Sequence, residues 1–168
     1  MRAKNRIGIV LALAAAAAAA TAHAATTTML GAAGGNDSWN TESNWDAGVP
    51  SGEIDAVVSD GIAAQANNAA TPVYSGSLTL RDGSTLTMAG DAASANAVRG
   101  VSGITMHADS TIQVNMNTNI DFPPITLAGN ASLQSLFGAS DWQTDNFSAI
   151  TGAYTLVISG FNGHTYNL

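Results

Sequence analysis

The chain has 168 residues, with five Lys and Arg against twelve Asp and Glu, a net charge of −7 and no cysteine. That acidic balance repels phosphate backbones and anionic lipid, which excludes nucleic acid and a charged membrane surface as expected partners. The lack of cysteine excludes disulfide staples and a lipid-modified thiol, so stability has to come from packing and hydrogen bonds.

In chain order, the first 24 residues read as a signal peptide. Arg2, Lys4 and Arg6 form a positive start, Ile7 to Ala20 is an unbroken apolar run, and Ala22-His23-Ala24 offers a small-x-small cleavage site. The run is short for a membrane span of about 20 residues, and no integral membrane segment is expected after cleavage. No paired arginines precede the run, so the general secretory route is expected, with a secreted or cell-surface bacterial destination. Cleavage after Ala24 leaves all twelve acids with only Arg81 and Arg99 as fixed cations.

Residues 25–62 read as an N-terminal lead-in and cap, starting Thr-, Ala- and Gly-rich and then carrying Trp39, Trp45, Pro50 and a strand-like Asp55-Ala-Val-Val. Nowhere after the leader do apolar residues hold a three-four spacing for more than two turns, so helix is expected to be the minority state. Residues 63–168 read as a β-strand repeat domain. Four segments share one pattern: Ser77-Leu-Thr-Leu, Gly103-Ile-Thr-Met, Pro124-Ile-Thr-Leu and Thr155-Leu-Val-Ile. In the first three, a turn leads to a second alternating strand. Alternation puts Leu78, Leu80, Leu86, Met88, Ile104, Met106, Ile112, Val114, Ile125, Leu127 and Leu133 on one face and the threonines on the other.

Gly83, Asp109 and Asn130 hold the same turn position, and these residue types enter the left-handed region most cheaply. A positive-φ corner is therefore expected at all three. If the corner closes a three-residue hairpin, Leu78 meets Leu86 and the result is an antiparallel sandwich or meander. If it is an open bend, each repeat is one coil of a parallel β-helix. Spacing admits both.

Asn36-Asp-Ser-Trp39-Asn, Asn44-Trp45, Gly48-Val-Pro50 and Asp55-Ala-Val-Val resemble the opening of autotransporter-associated β-strand repeat proteins. These are exported bacterial surface proteins, some with a C-terminal sorting signal of the PEP-CTERM type. The Ser-Leu-Thr-Leu block and the Gly-Ser-Thr-Leu-Thr that follows it are similar to their repeats. The likeness covers residues 36–88 well and the later segments loosely. It implies a parallel β-helix with a non-enzymatic structural or adhesin-like surface role; joined to the four segments and the lead-in, the expectation is an all-β fold, a right-handed parallel β-helix of about four coils with an N-terminal cap. No barrel domain, sorting signal or hydrophobic tail precedes Leu168, so the chain reads as a fragment or a truncated relative.

Particular residues admit several chemistries. Trp39, Trp45 and Trp142, with Tyr74, Tyr154 and Tyr166, could stack on sugar rings; the competing reading has Trp39 and Trp45 plug the first coil. A carbohydrate-binding β-sandwich is the leading alternative, for which an exposed Trp39, Trp45 and Trp142 strip would be needed. Asp37, Asp46, Asp55 and Asp60 lie close in sequence, but calcium needs six to eight converging oxygens, and solvated turns are expected instead. A β-helical polysaccharide-degrading enzyme would need three carboxylates beside Arg81 or Arg99. His107 and His164 are isolated, so no zinc site is expected. A threonine face could also order water, but Val157 breaks the pattern in the fourth segment. The expectation is no catalytic residue, no metal and no cofactor, with extracellular polysaccharide or other surface proteins as partners.

Overall fold

The computed structural model describes residues 25–31, 36–67, 71–90, 92–116, 118–136, 143–160 and 164–167. The expected leader lies outside the described residues. Strands wind in sequence around a shared axis and pair only in parallel, so the fold is a parallel β-solenoid. The first sheet stacks β1 (Thr26–Met29), β3 (Asp55–Val58), β5 (Leu78–Leu80), β7 (Ile104–Met106), β10 (Ile125–Leu127) and β13 (Ile150–Thr151). The second stacks β2 (Asn36–Ser38), β4 (Ala63–Asn67), β6 (Thr85–Ala89), β8 (Thr111–Asn115), β11 (Ala131–Ser135) and β14 (Leu156–Ser159). A third sheet, β9 (Ile120–Phe122), β12 (Gln143–Phe147) and β15 (His164–Asn167), closes the later coils. There are about five turns rather than the four expected.

The reason for stacking lies in the strands. Three to five residues with alternate apolar side chains cannot bury them alone, but identical coils laid in register can. Leu78 pairs with Ile104, and Ile104 with Ile125, forming one internal ladder. All eleven residues assigned to the apolar face are buried. The antiparallel hairpin is excluded, because β5 and β6 belong to different sheets and Leu78 does not face Leu86.

Corners between the first two sheets hold the geometry. Gly61, Gly83 and Asp109 occupy equivalent positions with φ of 69°, 66° and 58°. The Gly61 amide donates to the Asp82 carbonyl and the Gly83 amide to the Ala108 carbonyl, so corners are bonded coil to coil. Asn130 departs from the expectation and does not take a positive φ. There the Asp109 amide reaches the Asn130 carbonyl itself, one residue further along than in the preceding corners, and Asn130 Oδ1 accepts from the Thr155 amide at 3.0 Å. The buried hydroxyls of Ser84 and Ser110 each donate back across the turn, to the carbonyls of Arg81 and His107 at 2.7 Å.

Two alignments change. The segment at Thr155 is not the fourth copy of Ser77-Leu-Thr-Leu: Leu156 pairs with Ala131 in the second sheet, and Ile150 stacks on Ile125. Upstream, β1 and β3 continue the first sheet, with Ala56 on Leu78 and Thr27 on Ala56, so the ladders run back through the stretch expected as a lead-in.

The third side is irregular in the first coils. Trp39, Trp45 and Tyr74 fill it there, and a short 3-10 helix, Ala92–Ala97, fills the third coil. In later coils Phe122 and Phe147 stack with ring centroids 5.0 Å apart.

Candidate functional site

The outward face of the first sheet carries a regular column of side chains. Pairing puts Thr28, Val57, Thr79, Thr105, Thr126 and Thr151 in a single column. Adjacent strands of a sheet lie about 4.8 Å apart, so the hydroxyls repeat at that interval along the axis. Val57 is the one interruption. Val157 does not belong to this column, since it pairs with Ser132 in the second sheet. The pattern is therefore more continuous than the sequence suggested. The repeated Ile-Thr at 104–105, 125–126 and 150–151 was the available signal for it.

Beside this column, at the N-terminal end of the face, lies an open groove of about 480 Å³ lined by Thr26, Thr28, Val57, Ser59, Asp60 and Arg81. Strand alternation turns Thr26, Thr28 and Val57 outward, while Asp60 and Arg81 stand at the corners that follow β3 and β5. Among the described residues no carboxylate lies within ion-pair reach of Arg81. The neighbouring acids are engaged elsewhere. Asp55 Oδ1 accepts from the Ser77 amide at 2.6 Å and its hydroxyl at 2.9 Å. Asp82 Oδ1 accepts from the Ala108 amide at 3.1 Å and lies 3.9 Å from His107 Nδ1. The groove thus offers hydroxyls, one carboxylate and one guanidinium beside the apolar side chain of Val57, a set that can hydrogen-bond vicinal hydroxyls. Among the described residues Asp60 is the single carboxylate lining the groove.

The second sheet presents amides instead. Gln65, Thr87, Gln113 and Gln134 form a column, in which Thr87 Oγ1 donates to Gln113 Oε1 at 2.9 Å and Gln113 Nε2 to Gln134 Oε1 at 3.1 Å. Thr87, Gln113 and Gln134 are thus bonded coil to coil, as in a stacked amide ladder, while Gln65 Oε1 accepts from Asn67 Nδ2 at 2.8 Å.

The sugar-stacking assignment is corrected by burial. Trp39 is 0% and Trp45 5% exposed, packed edge to face at 4.8 Å. Trp45 Nε1 donates to the Trp39 carbonyl at 2.8 Å. A ring with no free face cannot receive a pyranose, and the two indoles are interior filling of the first coil. Tyr74 is buried too, its hydroxyl donating to the Ala97 carbonyl at 3.1 Å. Burial, aided by the negative charge of Asp55, raises the pKa of that phenol well above its ordinary value. Tyr154 is half-exposed on the last coil. Trp142 lies outside the described residues, as does the side chain of Tyr166. With the strands parallel, the β-sandwich alternative falls as well.

Asp37, Asp46, Asp55 and Asp60 do not converge, and among the described residues no three acidic or histidine side chains group as a metal site. Asp46 serves the fold: its Oδ1 accepts from the Thr28 amide at 2.7 Å. No family model, curated protein or solved structure matches the chain.

Proposed function

We propose that the chain is an exported, non-enzymatic structural solenoid of the bacterial cell surface or its surroundings, adhesin-like in presenting one long face to polysaccharide. The observation that carries this reading is the threonine column of the first sheet, flanked by the Arg81 groove. A rigid row of short hydroxyls at one interval suits an extended polymer better than a small molecule, since successive sugars can find successive rungs. Polysaccharide fits the charge as well, because a neutral chain of hydroxyls is indifferent to a strongly acidic protein. Two-dimensional matching to ice has less support. The column beside the threonines runs through Thr26, Asp55, Ser77, Gly103 and Pro124 and has no repeat of its own.

The test uses protein recovered outside the producing cell, expected to begin at Ala25. It is co-sedimented with insoluble polysaccharides while released reducing ends are assayed. Retention on at least one polymer is expected, falling about tenfold or more in a Thr79→Val, Thr105→Val, Arg81→Ala variant with an unchanged circular dichroism spectrum. Retention that ignores the triple substitution, an intact Met1, or release of reducing ends would each contradict the proposal.

A further inference from the structure

Outside residues 1–24 the chain carries twelve acids and two arginines, Arg81 and Arg99. With acids in such excess a carboxylate partner is easy to supply. Yet among the described residues Arg81 has no ion pair and no side-chain hydrogen bond, although Asp60 shares its groove. The nearby acids are committed to the fold instead. Asp82, the next residue, is bonded to the Ala108 amide one coil further on, whereas the groove lies among Thr26, Thr28 and Val57 of the coils before Arg81. Asp46 belongs to the cap, where the segment 39–46 folds over the first coil. There the Leu30 amide donates to the Asn44 carbonyl at 2.9 Å, the Asp46 amide to the Thr28 carbonyl at 3.0 Å, and Asp46 Oδ1 accepts from the Thr28 amide. The guanidinium keeps its donors for a group that none of these acids supplies.

The surroundings of Arg81 suit a sugar. Its amide donates to the Val58 carbonyl at 3.0 Å, which sets Arg81 beside Ser59 of the preceding coil. Val57 stands between Thr28 and Thr79 as the one apolar member of the outward column. A pyranose presents C–H bonds on its faces and hydroxyls around its rim. Val57 meets the first, and Thr28 and Ser59 the second. Asp60 accepts from sugar hydroxyls and repels a second anion, so the groove takes one acidic group and not a row of them. At about 480 Å³ it falls within the range of about 300–1,000 Å³ usual for small-ligand sites.

We infer that this groove is a subsite for a single uronic acid residue of the polymer, an inference that rests on the polysaccharide reading above. Arg81 takes the carboxylate through two parallel N–H donors, a fork that the hydroxymethyl group of a neutral sugar cannot fill. Val57 lies against the ring, and Thr28, Ser59 and Asp60 bond its hydroxyls. A dense polyanion is repelled by the excess of acids elsewhere on the chain. An isolated uronate in an otherwise neutral polysaccharide satisfies both the lone guanidinium and the acidic surface.

The test follows the arginine Nε–H signals of isotope-labelled protein beginning at Ala25 during titration with methyl glucuronoside, methyl glucoside, acetate and a glutamate dipeptide. Two such signals exist, and exposed Arg99, which does not line the groove, is the internal control. The glucuronoside is expected to shift Arg81 alone. It should bind about three- to tenfold more tightly than the glucoside, the margin of one charge-assisted pair at a surface. That margin should vanish in about 1 M salt, where screening acts within about 3 Å, and in Arg81→Gln. No shift at Arg81, a shift of Arg99 alongside it, equal binding of the two glycosides, acetate or dipeptide binding as tightly as the glucuronoside, or a preference that survives Arg81→Gln would each overturn the inference. Co-sedimentation keeps the two readings apart. Retention on neutral polymers with no glucuronoside preference sinks the subsite alone. A glucuronoside-specific shift without retention on any polymer supports the subsite and contradicts the extended polymer face.

Discussion

Single residues in this molecule are selected by backbone demands as often as by side-chain chemistry. Gly83 and Gly76 illustrate two separate demands. Gly83 sits in the left-handed region at φ 66°, with open space where a Cβ would go. Gly83→Ala should therefore cost only the conformational penalty, about 1 kcal/mol. Gly76 has no such φ, but a Cβ there would run into the Ile54 carbonyl of the coil below. Gly76→Ala should cost about 2–3 kcal/mol, because backbone has to move. Denaturant melts of the two variants check the order; equal losses would contradict it. The corner at Gly83 was legible from residue type, and so was that at Asp109. Asn130 was not, because the same residue type can satisfy a turn by a side-chain bond, as it does to Thr155. The fate of Trp39 and Trp45 was equally undecidable from their names. An indole serves as core or as platform, and only the path of the chain around it decides.

At the level of the strand, alternation was the dependable signal. Ile104 lies in β7 between Leu78 and Ile125, in contact with a coil on each side. Ile104→Ala should lose about 2–5 kcal/mol of stability, since neither neighbour can collapse into the space without leaving its own rung. Thr105, one residue along and outward, should lose well under about 1 kcal/mol on change to Ala. Chemical unfolding of both variants reads this directly, and a destabilised Thr105→Ala beside a neutral Ile104→Ala would reverse the face assignment. Alternation did not say which sheet a strand joins. Thr155-Leu-Val-Ile has the right apolar spacing for the first sheet yet belongs to the second, while the true successor, Ile150-Thr151, is two residues long and leaves almost no periodic trace. β4 was also hard to see, because its inward residues Ala64 and Ala66 are barely apolar. Both are nevertheless fully buried in the common core, which only the packed coil reveals.

For the whole molecule, the repeat made a stacked architecture one of two options, and register decides between them. The threonine column could not be assembled from sequence, since it requires Thr28, Val57 and Thr79 to be known as neighbours across loops of unequal length. The Arg81 groove is further still from the sequence, being made by corners of successive coils. The capped first coil also emerges only when the strands are placed in order. The column, the groove and the cap all depend on each coil hydrogen-bonding to the next in parallel register. Scalar couplings across hydrogen bonds, measured by NMR on isotope-labelled protein, test it bond by bond. The account predicts couplings from the amide nitrogen of Leu78 to the Gly103 carbonyl, Ile104 to Pro124, and Ile125 to Ala149, each across a 2.9 Å bond. Couplings from the amides of residues 78–80 to carbonyls within 84–88 would mean an antiparallel hairpin and would contradict it.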